Sequence, residues 1–352
     1  MLANKKTVAI DKLEPGMISA SDINVQDKVL VAKGVAITES AIERLKQSYI
    51  VDKIDIYVDE EIEEAMAVKK NTVEEIHNNF NEFASNLKDI FTNIDKLKST
   101  GMDDVRAFTR KIQDEFKATG LVIRDIVLNG SGNDSIYRHS VNVSAIGFIL
   151  GKWLGLNERD LNLLTYSAIL HDMGKTELSD RIIANEGRLT SDEFAIFKQH
   201  PVIAYNIVKQ IPYLDPSVSY GVLMHHERGD GSGYPLGIKE DKIHKFAKIL
   251  AIADMFDELS SGRSEKECKG PFDTLQILHE ESLGKLDPTY CDMFINHIVN
   301  YFMGEMVLLN DKRTCKVIQV QMNDLTRPLL LDDNGFLDLR NEKDLFVEKL
   351  LV

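Results

Sequence analysis

Five of the nine histidines, His139, His171, His200, His225 and His226, fall within an 88-residue stretch, and each stands at or near the end of an apolar helical run. His171 closes the run "LLTYSAIL" and is followed directly by Asp172, so one buried helix end presents an imidazole and a carboxylate side by side. A lone buried histidine is most often a satisfied core residue. Five of them with a carboxylate make a donor set for a first-row transition metal, and a carboxylate between two imidazole sets can bridge two ions. Asp254, in "ILAIADMFDEL", is a second acid in an apolar helix. Burying that charge unpaired is costly, which predicts a metal or a basic partner. With no cysteine nearby, a finger-type structural zinc site is disfavoured. Two ions about 3.5–4 Å apart suit hydrolysis of a phosphate ester. His77, His244, His279 and His297 lie on polar stretches or lack a partner, and are assigned solvated or packing roles.

These side chains need a scaffold, and the sequence pattern supplies one that is mainly α. Residues 1–58 read as a small β-rich domain, with Pro15-Gly16 and Gly34 among β-branched segments and one helical stretch, "ESAIERLKQSY". Residues 59–130 form a charged helical connector in which Val73, Ile76, Phe80, Phe83, Leu87, Ile90, Ile94 and Leu97 recur at alternating steps of three and four. That seam has two readings, packing within the chain or a parallel homodimer stalk. "STGMDD" interrupts it before a second helix that runs to about Leu128. Residues 131–302 are a denser helical domain, with helices expected at 136–155, 158–173, 190–210 (broken at Pro201), 215–227, 245–261, 271–282 and 287–302. Residues 303–352 return to short strands as a β-rich appendage.

The balance of 42 basic against 56 acidic side chains, a net charge of −14, argues against a partner such as duplex nucleic acid or an anionic membrane. A small anionic substrate would need locally positive ground. There is no apolar run long enough to span a bilayer and no secretory leader, which predicts a cytoplasmic protein. Cys268, Cys291 and Cys315 are too scattered for a disulfide framework.

The ordered series "YRHSVNV" (137–143), "HDMGK" (171–175), "KQHP" (198–201), "HHERGDGSGYP" (225–235) and "IADMFDELSSGR" (252–263) resembles the HD-GYP domain, a branch of the HD phosphohydrolase superfamily. The resemblance covers about half the chain. It implies an all-helical catalytic domain that binds iron or manganese and hydrolyses cyclic di-GMP to pGpG or GMP through a metal-bridging hydroxide. Carried onto this sequence, the ligands would be His139, His171, Asp172, His200, His225, His226 and Asp254, with Asp172 bridging. Lys175 would contact the scissile phosphate or its leaving oxygen. The glycine turn would let the backbone pass close to the substrate, with Tyr234 and Pro235 a stiff wall beside it and Asp230 a brace within it.

The sequence departs from the family in places. Members with three metals carry a glutamate four residues before the first histidine, where this chain has Ser135, so two ions are expected; Asp134, one residue away, is rotated by about 100° on a helix. Where the family often reads Asp-Arg-Pro-Tyr-Arg, this chain reads "GRSEK", leaving Arg263 and Lys266 as candidate phosphate contacts, and position 229 is a glycine. The "L-x-P-G-M" start and the "TRP" at 326–328 are weaker resemblances to common flanking regions. A non-enzymatic alternative is a dinucleotide sensor or scaffold that contacts a diguanylate cyclase through the Tyr-Pro turn.

Overall fold

The computed structural model describes residues 4–21, 23–25, 28–31, 35, 37–48, 53–58, 73–93, 103–131, 135–184, 189–262 and 270–351. The chain divides into two compact units, one made of 1–71, 296–345 and 351–352, the other of 72–295 and 346–350.

The first unit begins with β1 (Asn4–Ala9), β2 (Ile23–Val25), β3 (Lys28–Val31), α1 (Glu39–Ser48) and β4 (Lys53–Val58). Strands β1 and β4 pair antiparallel with Thr7 opposite Asp55, and β2 pairs with β3. Val8, Ile37, Leu45 and Ile56 share one small core, which the alternation along the strands and the apolar edge of α1 create together.

The second unit is helical. It opens with α2 (Val73–Thr92), α3 (Asp103–Glu115) and α4 (Thr119–Asn129). The single helix expected to Leu128 is broken at 116–118, because Phe116 is fully buried and Ala118 takes a non-helical conformation ahead of Thr119-Gly120. On α2 the buried residues are Ile76, Phe80, Phe83, Ala84, Leu87 and Phe91. Phe91 thus replaces Ile90 of the expected seam, and the stripe follows the 3.6-residue period of a packed globular helix, not the 3.5 of a coiled coil. Its rings meet partners in the same unit: Phe80 packs on Phe116 and Phe83 on Phe108. Among the described residues this apolar edge is therefore covered in cis; Ile94 and Leu97 lie outside them.

Next come α5 (Ser135–Trp153), α6 (Glu158–Leu170), a 3₁₀ turn at Met173–Glu177, α7 (Asp180–Ala184), α8 (Ser191–Phe197), α9 (His200–Val208), α10 (Pro216–Met224), α11 (Lys245–Ser260), α12 (Pro271–Glu281) and α13 (Pro288–Phe302). Helices α5 and α11 pack on each other and are buried along most of their length, as helices at the centre of a core are. The ends are set by local chemistry. Asn157 caps α6 by accepting from the Asp160 amide, Thr190 and Glu193 form a reciprocal box at α8, and Asp215 caps α10 ahead of Pro216. Pro201 sits in the first turn of α9, where its missing amide costs nothing. His244 has a structural task, since its ring accepts from the Phe246 amide at the start of α11.

The chain closes with β5 (Met306–Leu309), β6 (Thr314–Gln321), β7 (Asp324–Asp332) and β8 (Gly335–Asp338), an antiparallel meander, and then β9 (Val347–Leu350) in the second unit. No described helix is long and apolar enough to cross a membrane.

Candidate metal centre

Three of the histidines are held by one device. The last carbonyls of a helix have no intrahelical amide to accept from. His171, just past α6, sets its Nδ1 2.7 Å from the Ala168 carbonyl; His200, just past α8, sets its own 2.8 Å from that of Phe197; His225, just past α10, sets its own 2.6 Å from that of Val222. A carbonyl only accepts, so each Nδ1 carries the proton and each Nε2 is turned inward. His139, in the second turn of α5, reaches the same orientation by setting Nδ1 2.7 Å from Asp257 of α11.

The four Nε2 atoms converge on two carboxylates. Asp172 Oδ2 lies 3.4 Å from His139 and 3.5 Å from His171, while Oδ1 lies 3.3 Å from His200 and 3.9 Å from His225. Asp254 sets Oδ1 3.0 Å from His139 and Oδ2 3.6 Å from His226 Nδ1. Each carboxylate is thus shared between two sets of imidazoles. One donor group is His139, His171 and Asp254, and the other is Asp172, His200, His225 and His226. The centre is closed to solvent, with His226 the most exposed ligand candidate at 8%.

Charge makes this arrangement costly without a cation. His139 Nε2 is 3.3 Å from His171 Nε2, and His200 Nε2 is 3.5 Å from His225 Nε2. Two lone pairs at that distance repel, and so do two N–H groups; a cation between them removes both problems. Burial pushes the rings of His171, His225 and His226 toward the neutral form. Burial pushes the Asp172 carboxyl up, but Lys175 and the rings of His171 and His200 outweigh it and hold Asp172 well below the ordinary range. For Asp254 burial is likewise outweighed, here by His139 and His226. Neither Asp172 oxygen has a well-angled hydrogen bond, although Lys175 Nζ stands 2.9 Å from Oδ2, and His226 Nε2 is buried with none. The donor set therefore fits metal ions.

Lys175 comes to Asp172 on the 3₁₀ turn, with its ammonium over the Phe197 ring at 5.1 Å. Tyr234 stacks on His226 with ring centroids 4.6 Å apart, and burial, together with Glu258 and Asp254, keeps it a phenol. The turn that carries it is braced twice: Glu227 accepts from the amides of Leu236 and Ile238, and Asp230 accepts from the amide and hydroxyl of Ser232. Gly233 is required there, since a Cβ would come within 2.5 Å of the His226 carbonyl oxygen. Arg263, Lys266 and Asp134 lie outside the described residues. Sequence reasoning missed Asp257 and Glu227. Asp257 is three residues after Asp254 in the same apolar helix, a spacing that could have flagged it.

The model of the family described as "HD domain" matches residues 128–290. The segment includes every histidine and aspartate of the two donor groups. This part of the chain is an HD domain. It is 35% identical over 156 residues to the cyclic di-GMP phosphodiesterase response regulator RpfG of Xanthomonas campestris, covering 44% of this chain and 41% of that one. It is 26% identical over 309 residues to the cyclic di-GMP phosphodiesterase PdeB of Borreliella burgdorferi, covering 84% of this chain and 79% of the relative. The chain spans 36–54% of the length of RpfG and of the cyclic di-GMP phosphodiesterases of Pseudomonas aeruginosa and Thermotoga maritima that it matches. Among solved structures, Bd1817, an HDG"Y"P protein from Bdellovibrio bacteriovorus, shares the fold with a TM-score of 0.51 at 18% identity, over 84% of this chain and 99% of that one. In the HD domain, α5, α6, α9, α10 and α11 or their immediate ends supply all seven donors.

Proposed function

We propose that this protein is a metal-dependent phosphodiesterase that hydrolyses cyclic di-GMP to pGpG, GMP or both, with segment 131–302 as its catalytic domain. The observation that carries the reading is the convergence of four Nε2 atoms and two shared carboxylates in a closed site, with Lys175 beside one of them. Relatives named for cyclic di-GMP hydrolysis support the substrate. His139, His171 and Asp254 would hold one ion of iron or manganese, and His200, His225 and His226 a second, with Asp172 between them. When bound, such a pair activates water at neutral pH and offsets charge on phosphoryl oxygens.

The chain's own groups do the rest. Lys175 offers a compact positive charge to the phosphoryl or leaving oxygen, on a turn that places it against Asp172. Tyr234, a phenol fixed against His226, forms a wall and a hydrogen-bond donor at the edge of the centre. Arg263 and Lys266 are the further basic candidates for the two phosphates of a dinucleotide. We place the activity in the cytoplasm, where buried unpaired thiols such as Cys291 and Cys315 stay reduced.

The test is to purify the chain without oxygen, count its metals, and follow cyclic di-GMP, with cyclic GMP-AMP as the competing substrate, by chromatography. About two ions per chain with linear dinucleotide or GMP as product is the expected result. Metal-loaded protein that leaves cyclic di-GMP intact would overturn the assignment, and preferential cleavage of cyclic GMP-AMP would change its substrate.

A further inference from the structure

His139 cannot use the device that orients its three neighbours. It lies inside α5, where the carbonyls are already engaged by helical hydrogen bonds, and Asp257 takes their place. Asp257 is fully buried and belongs to a longer polar chain. Its Oδ2 also accepts from the Ser131 hydroxyl at 2.9 Å, and its Oδ1 accepts from Asn142 Nδ2 at 2.6 Å. Asn142 Oδ1 accepts from Arg138 Nε at 3.0 Å. Arg138 is anchored in turn by Asp125 and by Asn81 Oδ1 at 2.7 Å.

The direction of this chain is fixed at its far end. A guanidinium has donors only, so the Asn142 atom that faces Arg138 must be the oxygen. The amide nitrogen then points at Asp257, which accepts on that side and on the side of His139. His139 Nδ1 is therefore the donor, and Nε2 is the nitrogen turned toward Asp254 and Asp172. We infer that Asp257 is a positioning residue for metal binding, and that Arg138, acting through Asn142 and Asp257, holds the His139 proton on Nδ1. The inference rests on reading the two donor groups as metal ligands. It makes one group, His139, His171 and Asp254, dependent on this chain, while in the other His200 and His225 are oriented by backbone carbonyls.

Asp257→Asn tests the direction without emptying the space. Asn142 still presents its amide to residue 257, so the new side chain must answer with its oxygen there and turn its own amide toward His139. Nδ1 then becomes an acceptor and the proton moves to Nε2. The metal-free chain of 352 residues titrated with Mn(II), with free ion followed by electron paramagnetic resonance, should bind two ions. Asp257→Asn should keep one at wild-type affinity and weaken the other about 10–100-fold. Ser131→Ala removes a donor to Asp257 but not the direction of the chain, and should keep both. Imidazole ¹⁵N spectra of the wild type should show His139 protonated at Nδ1, a signature that a packing role would not set and that Asp257→Asn should lose. Two ions at wild-type affinity in Asp257→Asn, loss of an ion in Ser131→Ala, or an unprotonated Nδ1 in the wild type would each overturn the inference alone. Wild-type protein that takes up no manganese would overturn the metal reading itself.

Discussion

Replacing Gly174 with alanine tests the packing that brings Asp172 and Lys175 to the centre. Gly174 is the second residue of the 3₁₀ turn and presses on the first turn of α9. A Cβ there would lie 2.1 Å from the His200 carbonyl oxygen and 2.8 Å from the Ala204 amide nitrogen, where ordinary contact begins at 3.4 Å. Both obstacles are backbone, so no flexible side chain can yield, and the turn and α9 must separate by on the order of 1 Å. Overpacking of this kind costs about 1–3 kcal/mol, which in a unit of this size lowers Tm by roughly 2–12 °C. A displacement of about 1 Å between Asp172 and His200 should also cut turnover by about 100-fold. Calorimetry and product chromatography on the same preparations provide the assay. Gly155→Ala is the control: its φ of +73° adds strain, yet its Cβ would meet nothing within 4 Å, so it should lose about 1–2 kcal/mol of stability and no turnover. Wild-type melting and turnover in Gly174→Ala would refute the packing argument.

Two further outcomes are expected. Lys175→Ala should retain both ions, since Lys175 is not a donor, but lose about 10²–10³-fold in rate; a wild-type rate would exclude the assigned role. Burial, with Asp287 and Asp292, raises the Cys291 thiol to about 12. The unfolded thiol ionises near 8.5 while the folded one keeps its proton, so this residue's contribution to stability should fall as pH rises from about 8.5 to 12, by about 1.4 kcal/mol per unit. Urea unfolding of the wild type and Cys291→Ala across that range isolates the slope, and parallel curves would contradict it.

The parts of the site that a sequence states in local terms were legible. A histidine just beyond an apolar helical run, as at 171, 200 and 225, is a local pattern. The break before Pro201 and the β-rich ends also follow from neighbouring residues. What failed to show depends on partners far along the chain. Asp257 looks like any acid on a helix until α5 sets His139 and Asn142 against it. The α2 stripe could be read with either of two close periods, and only a partner far along the chain separates them: Phe91 turns inward against the Tyr137 ring while Ile90 lies at the edge. Glu227 was visible in its motif, yet its bonds to the amides of Leu236 and Ile238 exist only once the turn has closed.

The bond from imidazole to helix-end carbonyl also makes helix length a coordinate of the centre. His171, His200 and His225 are each fixed three residues after the carbonyl they serve, so a donor's place in space is set by where its helix stops. Inserting one residue into α6, α8 or α10 would turn its histidine by about 100° and advance it by about 1.5 Å. No rotamer change restores that loss, because the same bond fixes the ring. Insertions and deletions should therefore be purged from these three helices while the connection at 209–215 is free to vary in length, so that a lineage of such domains keeps a record of its metal centre in the lengths of its helices.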